Sequence, residues 1–251
     1  MRAWHLVGRH ALSYRRAWFV FLSGFLEPVF YLMSIGVGVG AMIHDVQVGG
    51  EAVPYAVFVA PAMLAASAMN GAIMDSTFNL FFRMRYDKLY ESVLTTPLTV
   101  GDIALGELIW SLSRGGIYAA GFLGLMAAMG LTLSWWAFLA LPSALLIGFA
   151  FAGVGMWVSS RVRSWQDFEF VNLALMPMML FSGTFFPVDA VSGPVRWAVE
   201  VTPLYRGVVL CRELTMGVPG WASILSVGYL LAMGSCGLWG ARRRLARLLM
   251  K

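Results

Sequence analysis

Charge is what this chain has least of. Only 12% of its 251 residues are Asp, Glu, Lys or Arg, and 59% are hydrophobic, against roughly 25% and roughly 45–50% in soluble domains. That balance excludes a water-soluble single domain and fits a chain built for lipid. Lysine is scarcer still: Lys88 and Lys251 are the only two, and neither follows a glycine. A GxxxxGK[ST] loop needs its lysine to reach the nucleotide's phosphates, so this chain cannot hydrolyse ATP by that route. The two cysteines, Cys211 and Cys236, lack zinc-ligand spacing and map to different membrane depths, so no disulfide is expected between them. The three histidines, His5, His10 and His44, lie outside the apolar runs. No pair of carboxylates or set of metal ligands gathers within a run, which argues against an intramembrane enzyme acting on lipid headgroups. No repeat is visible and ionisable groups at mid-membrane are few, which argues against an ion-coupled secondary transporter. Those two remain the alternative functions. Without a linker or low-complexity stretch, residues 1–251 read as one domain.

What the chain has is long apolar runs. A hydrocarbon core of roughly 30 Å needs about 20 helical residues, and six stretches qualify, near 17–39, 55–80, 105–129, 136–159, 169–186 and 221–239. The first is longer than the roughly 7–15 residues of a signal-peptide core, so it reads as an uncleaved span. Fourteen of the 18 Lys and Arg residues fall on one side of this map and three on the other. The bias predicts both termini in the cytoplasm and residues 46–51 outside. Before the first span, Trp4, Val7, Ala11, Tyr14 and Trp18 share one helix face, with Arg2, His5, Arg9 and Arg16 opposite, the pattern of a helix lying along the cytoplasmic interface.

Two stretches between spans are long enough to have functions. On the cytoplasmic side, Tyr86, Leu89, Tyr90 and Val93 form an apolar arc if helical, and Pro97 ends that helix. Thr99 and Asp102 then form a capping box that opens the third span before the membrane. The arc suits either docking into a partner's groove or packing on lipid. On the outer side, Gly183, Phe185, Phe186 and Pro187 break the fifth span ahead of Pro203 and Arg212. Helical pieces near 189–200 and 204–215 are too short to cross, so they either dip back into the outer leaflet or lie as a lid.

Charges within the spans are costly, by about 2.5–3.5 kcal/mol each at the bilayer centre. Glu27, just before Pro28, and Arg114 are the two singled out; each sits in the cytoplasmic half, so they either pair or find separate polar surroundings. Asp75 reads as solvated at the cytoplasmic end of span two. Gly121, Gly124, Gly148, Gly153 and Gly155 allow close helix approach.

Residues 83–110, RMRYDKLYESVLTTPLTVGDIALGELIW, and 177–212, PMMLFSGTFFPVDAVSGPVRWAVEVTPLYRGVVLCR, resemble the permeases of type-2 ABC exporters, above all the group that accompanies nodulation lipo-oligosaccharide export and its drug-export relatives. The phrase EPVFYL at 27–32, followed by Gly36 and Gly38, fits the same group. The resemblance implies an all-α integral membrane fold with six transmembrane helices, an N-terminal interfacial helix, a cytoplasmic coupling helix near 86–96 that touches the ATPase, and re-entrant external helices near 189–215. It also implies two ABC ATPase subunits, which hold the ATP and magnesium, and a second permease, expected to be another copy of this chain. No cofactor on this chain and no nucleic-acid partner are expected. The place is the bacterial plasma membrane, and the cargo an amphipathic lipid, glycolipid or drug-like molecule.

Overall fold

The structure, a computed structural model, describes residues 3–15, 26, 28–43, 45–48, 51–188 and 192–249. Glu27 and most of the expected first span lie outside the described residues. Helix α1, Ala3–Arg15, buries Ala3, Leu6, Val7 and His10, which recur at the i, i+3, i+4, i+7 spacing of one helix face. They pack on the helix that begins at Val100, where Gly106 makes room: a Cβ there would lie 2.8 Å from Leu6 Cδ2. This protein-facing side differs from the face expected at the interface, since Trp4 and Ala11 are exposed.

A π-helical stretch, Leu32–Val39, leads to a hairpin of β1, Asp45–Val48, and β2, Glu51–Pro54, antiparallel with Asp45 opposite Pro54. The all-helical reading missed this hairpin because two four-residue strands are too short to show a period. Next comes a continuous 31-residue helix, Tyr55–Arg85, made of α2, Tyr55–Met74, a π-helical turn, Asp75–Asn79, and α3, Leu80–Arg85. Its apolar residues run all round the axis, and it sits in the middle of the bundle with Phe58, Met63, Leu64 and Met69 fully enclosed.

Helix α4, Leu89–Leu94, then α5, Val100–Ala128, follow. The capping box expected at Thr99 and Asp102 is present. A 3₁₀ turn, Trp135–Leu139, enters α6, Ala140–Ser159; another, Trp165–Asp167, enters α7, Phe168–Leu180. Helices α8, Pro194–Val201, and α9, Pro203–Met216, follow, and α10, Trp221–Leu249, is the last helix among the described residues.

Three helices among the described residues are long and apolar enough to cross a membrane: Tyr55–Arg85, Trp135–Ser159 and Trp221–Leu249. Helix α5 has the length, 29 residues, but Asp102, Glu107 and Arg114 dilute it. Helix α7 has 13 residues, about 20 Å at 1.5 Å per residue, and stops short of the expected 169–186 span. Helix α10 runs ten residues beyond the expected end at 239.

Lipid gives helices no hydrophobic reason to associate, so close packing and polar contacts hold them. Helices α6 and α10 meet backbone to backbone: a Cβ at Gly153 would lie 2.4 Å from Gly234 O, and one at Gly237 2.5 Å from Gly153 C. Gly155 lies against Ser76 of the π-helical turn, and Ser159 donates to Thr77 O at 3.2 Å, taking up a carbonyl of that turn.

Candidate functional site

Helices α1, α3, α4 and α5 converge on one carboxylate. Glu107 of α5 is 5% exposed, and a carboxylate that deep persists as a charge only with several donors around it. His10 of α1 lies with Nε2 2.9 Å from Oε1. A carboxylate can only accept, so that nitrogen carries the proton. Tyr90 of α4 donates its hydroxyl to the same oxygen at 2.8 Å, and Arg83 of α3 donates Nη1 to Oε2. Burial, and next the adjacent Glu107 carboxylate, push the Tyr90 hydroxyl well above the usual phenol range, so it stays a donor.

A second cluster lies deeper, seven residues further along α5. Arg114 donates Nη1 to Asp75 Oδ1 at 3.1 Å and Nε to the Tyr118 hydroxyl at 3.1 Å. Asn79 Nδ2 also donates to Asp75 Oδ1, at 2.6 Å. Arg83 joins the clusters, its Nη2 4.0 Å from Asp75 Oδ1. A continuous polar chain therefore runs from helix α4 through Glu107, Arg83, Asp75 and Arg114 to Tyr118, inside an otherwise apolar bundle.

The sequence reading needs two corrections here, to Asp75 and to the α4 arc, while the Glu27 pairing is not among them. Asp75 is buried at 2% exposure and pairs with Arg114, rather than being solvated. Glu27, the partner considered for Arg114, lies outside the described residues. The arc of Leu89, Tyr90 and Val93 is buried against the chain's own core, and only Tyr86 of the four is exposed. Once α4 has an internal carboxylate to reach, its apolar side turns inward and its outer side carries Glu91, Ser92 and Thr95.

Glu107 and His10 were missed outright. The detectable signal was a carboxylate within the apolar run 105–129, which demands a donor; its partners are 97, 24 and 17 positions away.

The stretch from 182 to 216 is a built unit as well. Residues 182–187 interrupt the chain after α7, with Gly183 at φ +66°, where a Cβ would also lie 2.8 Å from Val188 Cγ2. Ser182 and Thr184 are enclosed and share a 2.6 Å hydrogen bond. Arg212 of α9 binds this break to α2: Nη2 donates to Gly183 O at 2.9 Å, Nε and Nη2 reach Phe58 O at 3.3 Å, and the guanidinium stacks 3.9 Å over the Phe58 ring. Tyr55 donates its hydroxyl to Phe185 O at 3.2 Å. Phe186 and Pro187 are half-buried beside it, and Pro203 stands in the first turn of α9, where its missing N–H costs nothing. An apolar groove of about 370 Å³ runs from Pro203 between α6 and α7, past Met178, to Asp167. Cys211 is buried and Cys236 exposed, and both are free thiols. Among the described residues no group of three or more His, Cys, Asp or Glu side chains could hold a metal ion.

Comparison with known proteins follows the same lines. The family described as ABC-2 type transporter matches residues 1–216. The chain is 36% identical over 214 residues to Nodulation protein J of Rhizobium leguminosarum bv. trifolii, covering 84% of this chain and 80% of that one. It is 35% identical over 225 residues to Nodulation protein J of Sinorhizobium fredii, covering 88% and 84%. Nodulation protein J of Bradyrhizobium diazoefficiens is 32% identical over 246 residues, covering 95% and 92%.

Proposed function

This chain belongs to the ABC-2 type transporter family, and from that premise we propose that it is the membrane-spanning permease of an ATP-driven exporter. Two copies stand with two ATPase subunits, which hold ATP and magnesium, in the bacterial plasma membrane, and together they move an amphipathic lipid, glycolipid or drug-like molecule out of the cytoplasm. Six spans cross the bilayer: the stretch ending at Val39, Tyr55–Arg85, α5, Trp135–Ser159, α7 with its continuation, and α10. Helices α8 and α9 form the re-entrant outer element.

The observation that carries this reading is the attachment of α4. A helix of six residues is too short to be stable alone, and here its inner side is fixed by Tyr90 on Glu107. On its outer side, Glu91 and Thr95 are free for a partner. A push on α4 therefore reaches α5 and α3 directly through a buried carboxylate, which is the mechanical task of a coupling helix.

The test is reconstitution with a partner ABC ATPase. Glu91→Arg is expected to weaken co-purification of the ATPase. Tyr90→Phe keeps the ring but removes a charge-assisted hydrogen bond of about 1.5–3 kcal/mol, so the ATPase still binds while export per ATP hydrolysed falls. Flux driven by an ion gradient without the ATPase, or full export by the Tyr90→Phe protein, would overturn the reading.

A further inference from the structure

We infer that the cleft between α1 and α4 binds the headgroup of a phospholipid that carries both a phosphate and a primary ammonium. The cleft holds about 420 Å³, and its lining is divided between polar and apolar atoms. His10 and Arg83 stand on one part of its wall and are already engaged by Glu107. The uncommitted charges are Arg9 and Asp87, both exposed. Among the described residues neither comes within 4.0 Å of an opposite charge. Asp87 is placed at the cleft by the turn between α3 and α4, where Lys88 takes φ 47°, the one non-glycine positive φ among the described residues.

A cation and an anion that face one cleft without bridging each other select a ligand bearing both signs. A purely anionic headgroup meets Asp87, and a purely cationic one meets Arg9. A phosphodiester on Arg9 with an ammonium on Asp87 satisfies both, and the exposed Ser92 hydroxyl, also in the lining, adds a further partner for either. The ammonium must keep its N–H groups, because Asp87 is a pure acceptor and a trimethylated nitrogen has nothing to donate. The surroundings suit a membrane lipid: Phe82 lines the cleft with 42% exposure, and α1 leaves Trp4 and Leu12 bare, apolar surface for acyl chains at an interfacial helix.

The inference rests on the chain being membrane-embedded but not on its coupling to an ATPase, so the two can fail separately. Native mass spectrometry of the purified protein with phosphatidylethanolamine, phosphatidylcholine and phosphatidylglycerol of identical chains reads it out. The expected result is about fivefold greater retention of phosphatidylethanolamine than of either other lipid, the upper range for exposed charge contacts. Asp87→Asn is expected to bring phosphatidylethanolamine down to the phosphatidylcholine level, and Arg9→Gln to weaken both. These side chains are exposed, so the fold should survive either change, checked by thermal unfolding. Equal retention of the three lipids, strongest retention of phosphatidylglycerol, or an undiminished preference in both variants would overturn the site. Displacement of the lipid by soluble glycerophosphoethanolamine at equal concentration would reassign the cleft to a free molecule and overturn the lipid.

Discussion

At the residue scale the most informative side chains are charges enclosed where charge is scarce. Arg114 could be recognised from sequence as a residue in need of a partner, because an isolated guanidinium in a span is expensive. Its partner could not: Asp75 lies 39 positions away, at an apparent span end where water was the reasonable default. Glu107 was equally visible as a letter, but its donors come from three helices whose approach only the fold reveals. The Asp75–Arg114 pair can be tested through the asymmetry between breaking a buried pair and removing it. Asp75→Asn or Arg114→Gln alone is expected to destabilise the protein by about 3 kcal/mol, because each takes a counter-charge away from a buried ion. The double variant should recover much of that loss. Thermal unfolding in detergent measures all three, and a coupling energy near zero would show that the two residues act separately.

Among elements, helix ends and breaks were legible because they are written in local chemistry. The capping box at Thr99, the stop before Pro97, and the interruption at Gly183 all follow from residues within a few positions of each other. The inward turn of α4 was illegible, since an apolar arc looks the same whether it meets a partner or its own core. The π-helical turn Asp75–Asn79 was invisible too; it depends on α6, where Gly155 leaves space for Ser76 and Ser159 takes the carbonyl of Thr77. A Cβ at Gly155 would stand 2.0 Å from Ser76 Oγ, so Gly155→Ala is expected to displace the turn that separates Asp75 from Arg83. Stability should fall by about 1–3 kcal/mol, as in other overpacked sites, and export should fall with it. Ser76→Ala in the same protein removes the clashing oxygen and is expected to restore part of both. No rescue, measured by unfolding and transport together, would mean that the contact between α6 and the turn is slack.

For the whole molecule, the helical membrane class was the most accessible feature in the sequence, because hydropathy is a sum over many residues; the arginine distribution gives an expected orientation in the same way. The hairpin and the short α7 were not accessible, being decided by a few. The orientation predicts that a cysteine at Gln47, exposed in β1, is labelled from outside intact cells once Cys211 and Cys236 are replaced; labelling only after the membrane is broken would invert the map. The outer end holds a different kind of information. Arg212 is held by two carbonyls and an aromatic face, and among the described residues no carboxylate lies within 4.0 Å of it. Half-buried in that setting, the guanidinium has given up part of its hydration without receiving a full counter-charge. Any motion that parts α9 from Phe58 and Gly183 lets water return to it, so solvation itself favours opening and offsets part of the packing that is lost. Replacing the cation removes that drive: Arg212→Met is expected to export more slowly at unchanged ATPase binding, and export at or above the parent rate would show that the carbonyl bonds were only a clasp. On this account the junction of α9 with Phe58 and Gly183 works as a thirsty joint, part-dry while shut and wetted into motion.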